Sequence, residues 1–406
     1  MVITTNQIVW APPKLYGYFY LMETLTTEIA LKFTLKCASC GKAYDPTQLQ
    51  TFATCCVQPL ITEYELKALD KELIWKHEHS MWRYISFLPL FNPSHIVSLH
   101  EGWTPIHHLQ KLSAQLGADT LLKDEGVNPT GSFKARGISM AVSKASELGI
   151  EACVIPTAGN AGGALSAYCA KAGIKATVIM PEHTPVLLQD ECKAYGAELI
   201  LVKGLIDSCG KLAKELSLTT GAFDMSTLKE PYRLEGKKTM GYEIAEQLEW
   251  QLPDVIIYPT GGGTGLLGIW KAFKEMQQLG WIGTKLPRMI AVQTSNCKPV
   301  IEYFNTGKLS DDYNPVASEA YGLAVPYPFA IKQILQVLYE SKGLAIEVSE
   351  TDMQDEVMTT ARLEGLLISL EGGACISAIR KLRASNSIKE GETVLFLNTG
   401  SWYKYH

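Results

Sequence analysis

From about residue 118 onward, short runs of apolar, largely β-branched residues alternate with longer segments of helical periodicity. This is the pattern of βαβ units feeding a buried parallel sheet. The spacing predicts strands at Ala152 to Pro156, Ala176 to Met180, Leu199 to Val202, Val255 to Tyr258, Met289 to Gln293, Ala345 to Val348 and Val394 to Leu397. Helices are predicted between them at Gly162 to Ala172, Leu187 to Tyr195, Asp207 to Leu218, Leu266 to Leu279, 351–364 and 374–384. Residues 1–95 lack this alternation and read as an N-terminal appendage. The stretch from Ser310 to Phe329 is rich in Pro, Tyr and Ser and reads as a long loop able to cover a site.

A chain of 406 residues suggests two or three domains, and 47% hydrophobic with 19% charged residues excludes disorder, collagen and coiled coil. Lys plus Arg number 37 against 42 Asp plus Glu, a formal charge of -5, so no footprint for nucleic acid or an anionic membrane is present. Pro12, Pro13, Lys14, Glu23 and Glu28 interrupt the first 35 residues well before the roughly 20 apolar residues of a bilayer span, so no membrane segment is expected. Ten cysteines without a secretory leader point to a reducing, cytoplasmic setting.

The 33 glycines cluster beside apolar runs, as in turns that hold ligands. In the stretch Lys123 to Gly137, the segment Asn128-Pro-Thr130-Gly makes a turn, Ser132 caps the helix that follows, and Lys134 sits in its first turn. There the positive end of the helix dipole favours the neutral, nucleophilic amine that a Schiff-base lysine needs; the ordinary alternative is a solvated lysine. At the next strand-to-helix junction, Thr157-Ala-Gly-Asn160-Ala-Gly-Gly offers close backbone approach and an amide for a polar ring substituent, or simply a turn. Gly261, Gly262, Gly263, Thr264 and Gly265 open a further helix and form a cup of backbone N–H groups for a phosphate. Thr399 ends an apolar strand at the carboxyl edge where ligands sit in open α/β sheets.

Gly263-x-Gly265-x-x-Gly268 also spells a dinucleotide fingerprint, but Lys285 to Asn296 holds no acid for a ribose, and no Gly-Lys-Ser/Thr follows for a nucleoside triphosphate. One lysine for an imine, an Asn and a Thr for a ring and a glycine cup for a phosphate are together the parts that pyridoxal phosphate requires. A threonine hydroxyl at the ring nitrogen suits elimination and replacement at the β and γ carbons.

On these motifs, residues 98 to 401 resemble the fold-type II pyridoxal phosphate enzymes, and among them the threonine synthases. The resemblance implies two doubly wound α/β domains with the site in the cleft: a large cofactor-binding domain at 98–150 and 226–406, a small mobile domain at 151–225, and an extension at 1–97. It implies a homodimer with Lys134, Asn160, the 261–265 cup and Thr399 on the cofactor. Thr130, Ser132, Thr157 and Arg233 would lie on the substrate, because Pro231-Tyr-Arg233 is similar to the segment whose arginine holds the substrate phosphate. The implied reaction converts O-phosphohomoserine and water to threonine and phosphate. Thr157-Ala158 and Thr227-Leu228 depart from the family's polar residues at those places, which keeps two alternatives open: β-replacement on phosphoserine, as in cysteate synthase, and serine or threonine dehydration.

Cys37-Ala-Ser-Cys40-Gly has the spacing of a zinc knuckle, but its second half is the adjacent pair Cys55-Cys56. Four thiolates, or three completed by His77, are weighed against a metal-free relic of a zinc ribbon, and the spacing favours the relic. His107 and His108 read as surface residues at a helix start.

Overall fold

The computed structural model describes residues 32–66, 70–204 and 206–405, so Pro12, Pro13, Lys14, Glu23 and Glu28 lie outside the described residues. Among the described residues no helix is long and apolar enough to cross a membrane.

Among the described residues three sheets organise the chain. A small antiparallel sheet runs in the order β2 (Ala43–Tyr44), β1 (Phe33–Cys37), β3 (Leu60–Tyr64). A six-stranded sheet has the order β12 (Leu344–Val348), β11 (Arg288–Thr294), β10 (Val255–Pro259), β13 (Thr393–Asn398), β5 (Asp119–Asp124), β4 (Ile106–His108). Its pairs are parallel except β4 against β5. A four-stranded parallel sheet has the order β8 (Glu198–Val202), β7 (Lys175–Pro181), β6 (Ala152–Pro156), β9 (Phe223–Asp224). The helices are α1 (Gln110–Leu116), α2 (Lys134–Glu147), α3 (Asn160–Ala172), α4 (Val186–Ala194), α5 (Ile206–Thr220), α6 (Tyr232–Gln247), α7 (Thr264–Gln278), α8 (Pro299–Thr306), α9 (Ile331–Glu340), α10 (Glu350–Glu364) and α11 (Leu370–Ala384).

Because side chains alternate across a strand, each parallel sheet feeds two cores. Ile256, Tyr258, Met289, Ala291, Leu395 and Leu397 face one side of the six-stranded sheet with α6, α7 and α9. Val255, Ile257, Ile290, Val292, Val394 and Phe396 face the other with α1, α10 and α11. In the four-stranded sheet Cys153, Ile155, Val178 and Met180 pack with α2 and α3, while Val154 and Ile179 pack with α5. Helices on both faces explain why the strands read as continuous apolar runs, and they give the βαβ units that the alternation predicts and the doubly wound fold that the resemblance implies.

Two buried elements were not anticipated. In β5, Lys123 is fully buried, and α6 is buried along nearly its whole length although it carries Arg233, Glu235, Lys237, Lys238 and Glu243. Glu235 pairs with Lys238 at 2.8 Å, and an ion network holds Lys123 and Glu243. Arg136 on α2 grips Glu125 with Nε at 2.6 Å and Nη2 at 2.8 Å, and grips Glu243 with Nη1 at 2.5 Å and Nη2 at 2.7 Å. Lys123 Nζ donates to Glu243 at 2.8 Å and to the Thr104 carbonyl at 2.7 Å. Burial pushes the Glu243 carboxyl up, but Arg136 and Lys123 outweigh it and hold the pKa at about 2.

Residues 81–87, assigned by pattern to the N-terminal extension, are wholly buried, with Trp82 Nε1 donating to Glu101 at 2.8 Å and Arg83 pairing with Glu246 on α6. His107 and His108 lie on β4 rather than at a helix start, and His108 Nε2 is 2.7 Å from Asp119. Their alternation is short, three residues in all, and escapes a periodicity search. The 310–329 stretch has no helix or strand, as predicted, and buries Ala320 and Leu323.

Candidate active site

The segments that follow β5, β6, β10 and β13 converge beyond the carboxyl ends of these parallel strands, where doubly wound sheets bind ligands. After β5 the chain makes two single turns, Glu125–Val127 and Pro129–Gly131. Inside the second, Thr130 has φ 59°, a left-handed conformation that costs a β-branched residue of the order of 1–3 kcal/mol, and its buried hydroxyl has no partner. Ser132, expected to cap the helix, is extended and stands one residue before the N-cap Phe133, which has no side-chain cap; its Oγ accepts from Lys134 N–H at a long 3.4 Å. Phe133 N–H donates to the Thr399 carbonyl at 3.1 Å and Ser132 bridges to Gly400, so the lysine turn and the end of β13 form one unit.

Lys134 is half-buried, with Nζ 4.1 Å from the centre of the Phe133 ring. Burial first, then the Arg233 guanidinium, bring its pKa down to about 8 against the opposing pull of Glu371. The neutral amine is thus more populated than in an ordinary lysine, with burial and a neighbouring cation as the causes.

At the start of α3, Asn160 is buried, its Nδ2 donating to Tyr405 at 2.7 Å and its Oδ1 left without a partner. Thr157 closes its own turn: its hydroxyl accepts from Gly159 N–H at 3.1 Å. The glycine loop after β10 leads into α7, whose start has no side-chain cap; Gly263 supplies φ 78° as its N-cap residue. A Cβ on Gly261 would come within 2.2 Å of the Gly322 carbonyl, so only glycine lets the 310–329 loop lie against this turn. Gly262 and Gly265 complete it, and Thr264 Oγ1 accepts from Lys237 Nζ at 2.8 Å.

Arg233, in the first turn of α6, is 1% exposed. Nη1 donates to the Met225 carbonyl at 2.5 Å, while Nε and Nη2 have no hydrogen-bond partner and Glu230 Oε1 stands 3.9 Å from Nε. Lys237, one turn on, has its pKa driven well down by burial, then Arg233, then Lys134. Three basic groups therefore crowd together, with Glu230 the carboxylate beside Arg233 and Glu371 the one acting on Lys134. Unpaired buried charge is costly, so the arrangement asks for bound anions.

The sequence reading missed Lys237, Glu371 and Tyr405. Lys237 lies one turn after Arg233 on α6, and its direction depends on a helix whose burial the pattern hides. Glu371 Oε1 accepts from Gly322 N–H at 2.9 Å with Oε2 unpartnered, and Tyr405 stacks on Tyr321. No local signal marks either.

The four N-terminal cysteines also come together: the sulfurs of Cys37, Cys40, Cys55 and Cys56 all lie within 4.8 Å of one another. The adjacency of Cys55 and Cys56 does not keep either away.

A doubly wound pair of sheets with a pKa-lowered lysine, an asparagine and an uncapped glycine turn at their carboxyl edges defines an α/β enzyme built for a phosphorylated aldehyde cofactor. Residues 97–400 match the family model described as pyridoxal-phosphate dependent enzyme. The chain belongs to this family, of fold type II, and is a pyridoxal phosphate-dependent lyase. It is 34% identical to the threonine synthase of Methanocaldococcus jannaschii, over 91% of this chain and 92% of that protein. It is 32% identical to that of Methanosarcina acetivorans, over 92% of each. In fold it is similar to maize serine racemase, with TM-score 0.65 and 21% identity over 73% of this chain and 88% of that one. It is likewise similar to threonine deaminase isoform 2 of Solanum lycopersicum, with TM-score 0.64 and 21% identity over 84% and 96%.

The residues present fit the cofactor. The uncapped start of α7 would offer N–H groups to its phosphate, the spare Asn160 amide oxygen would be free for a ring hydroxyl, and Lys134 would offer an amine to its aldehyde.

Proposed function

We propose that the enzyme converts O-phosphohomoserine and water to threonine and phosphate. The observation that carries this reading is Arg233, whose Nε and Nη2 are buried without a hydrogen-bond partner beside the lysine turn, with Glu230 3.9 Å from Nε. A second phosphate, distinct from the cofactor's, satisfies both donors. The cofactor supplies an electron sink that loosens bonds at the substrate's α carbon. Lys134, with a pKa of about 8, moves protons at the α, β and γ carbons. Arg233 holds the phosphate as it leaves Cγ, and the spare Thr130 hydroxyl is a further donor for the substrate. Thr399, buried at the end of β13, is assigned to the pyridine nitrogen, and Ser132 holds the lysine turn.

The test is phosphate release from O-phosphohomoserine by the cofactor-loaded enzyme. Arg233→Lys should lower kcat/KM about a hundredfold, the worth of one charged hydrogen bond, while the visible cofactor band stays. No phosphate release at saturating substrate overturns the reading.

A second reading rests on Thr157, whose hydroxyl is engaged with Gly159, and on Leu228, which is buried in the apolar core at φ 58°. Neither offers a free polar group to a substrate phosphate. This favours a smaller substrate: phosphoserine replaced by sulfite, or a hydroxy-amino acid dehydrated. Release of a 2-oxoacid from serine or threonine, or sulfite-dependent phosphate release from phosphoserine, identifies it.

A further inference from the structure

The geometry points to a structural zinc site at Cys37, Cys40, Cys55 and Cys56, with one tetrahedral ion per chain. Around zinc with Zn–S bonds of about 2.3 Å, neighbouring sulfurs stand about 3.8 Å apart. Here all four sulfurs lie within 4.8 Å of one another, and Cys40 and Cys55 are 3.5 Å apart, far beyond the roughly 2 Å of a disulfide. All four are free thiols.

Two tight turns present them. Cys37 ends β1, and the turn to Lys42 closes through Gly41 N–H donating to the Cys37 carbonyl at 3.0 Å, with Gly41 at φ 72°. Ser39 N–H donates to Cys37 Sγ at 3.4 Å, a backbone bond of the kind that settles a thiolate. The second turn closes between Ala53 and Gln58, with Ala53 N–H to the Gln58 carbonyl at 2.8 Å, and Tyr44 fixes it by accepting from Cys55 N–H at 3.2 Å. It holds Val57 at φ 51° with its side chain exposed. A β-branched residue stays in that conformation only where its surroundings over-determine it.

Packing does not supply that restraint. The apolar cluster beneath the turns is Cys37, Ala53 and Leu60 with Tyr44 at its side, and Cys40 and Cys55 are exposed. A module with so small a core needs a staple, and where no disulfide forms a metal serves. The far end of the same sheet reaches the active-site helix: Tyr64 on β3 donates to Glu235 on α6 at 2.7 Å, beneath Lys238 at 4.0 Å from its ring centre. The ion therefore stiffens a sheet that braces the helix carrying Arg233 and Lys237.

The full-length, cofactor-loaded protein is purified without added metal and its metal counted by plasma mass spectrometry, beside a preparation grown with cobalt. About one zinc per chain is expected, with tetrahedral thiolate-to-cobalt absorption in the cobalt form. Cys40→Ser and Cys55→Ser should each lose most of the metal while the visible cofactor band persists. Should a variant fail to fold, the wild-type count decides alone. A folded, cofactor-loaded wild type with less than a tenth of a zinc per chain and four titratable thiols overturns the site, as does stoichiometric iron in zinc's place.

Discussion

At the scale of single residues, the site is built from side chains held short of satisfaction. Thr130 keeps a strained backbone and an idle hydroxyl, Asn160 a spare amide oxygen, and Arg233 two spare donors. Lys134 has the most direct consequence in solution. Its pKa of about 8 means that roughly one tenth of the amine is neutral at pH 7. The rate at which cofactor-free enzyme captures pyridoxal phosphate should therefore rise with pH and level off above about 8, read from growth of the visible band. A rate flat between pH 6 and 9 contradicts this. In Arg233→Met the inflection should move upward, because a cation that disfavours the ammonium form is gone.

At the scale of elements, α2 and α6 cross backbone to backbone. A Cβ on Gly236 would stand 2.1 Å from the Arg136 carbonyl oxygen and 2.9 Å from Gly137 Cα, and one on Gly137 would stand 2.7 Å from the Arg233 carbonyl. This contact sets the spacing between Lys134 and Arg233. Gly236→Ala should destabilise the protein by about 3 kcal/mol, since no side chain can rotate out of the way, and should depress activity in the fraction that folds. Gly210→Ala in α5 meets nothing within 4 Å and should gain about 0.5–1 kcal/mol. Denaturant midpoints of the pair check both signs. The same helix shows where the sequence is opaque. Strands such as β6 and β10 are legible because all their burial is apolar, and the lysine, asparagine and glycine turns because each is local. In α6 the buried residues include charges paired with β5, α2 and α7, so no apolar stripe marks it. Lys237, Glu371 and Tyr405 reach the site from three distant segments, and only tertiary packing brings them together.

At the scale of the whole molecule, the Arg136 network ties β5, α2 and α6 into one block, and acid should undo it. Glu243 has its pKa held at about 2 against an ordinary 4.5. The unfolded chain thus takes up this proton first as pH falls. The stability it contributes is complete above pH 4.5 and is lost as pH drops towards 2, which denaturant midpoints against pH would trace. Glu243→Gln should flatten that limb and, by leaving Arg136 and Lys123 undercompensated, cost about 3–5 kcal/mol at neutral pH.

The tail beyond β13 crosses to the four-stranded sheet's side of the cleft. Lys404 pairs with Glu191 on α4, and Tyr405 receives the Asn160 amide proton while stacking on Tyr321 of the 310–329 loop. Tyr405 thus touches α3 of the four-stranded sheet and the covering loop at once. It works as a gauge of the cleft: any widening between the sheets stretches the Asn160 contact, and any lifting of the loop breaks the tyrosine stack, so one aromatic ring registers both movements separately.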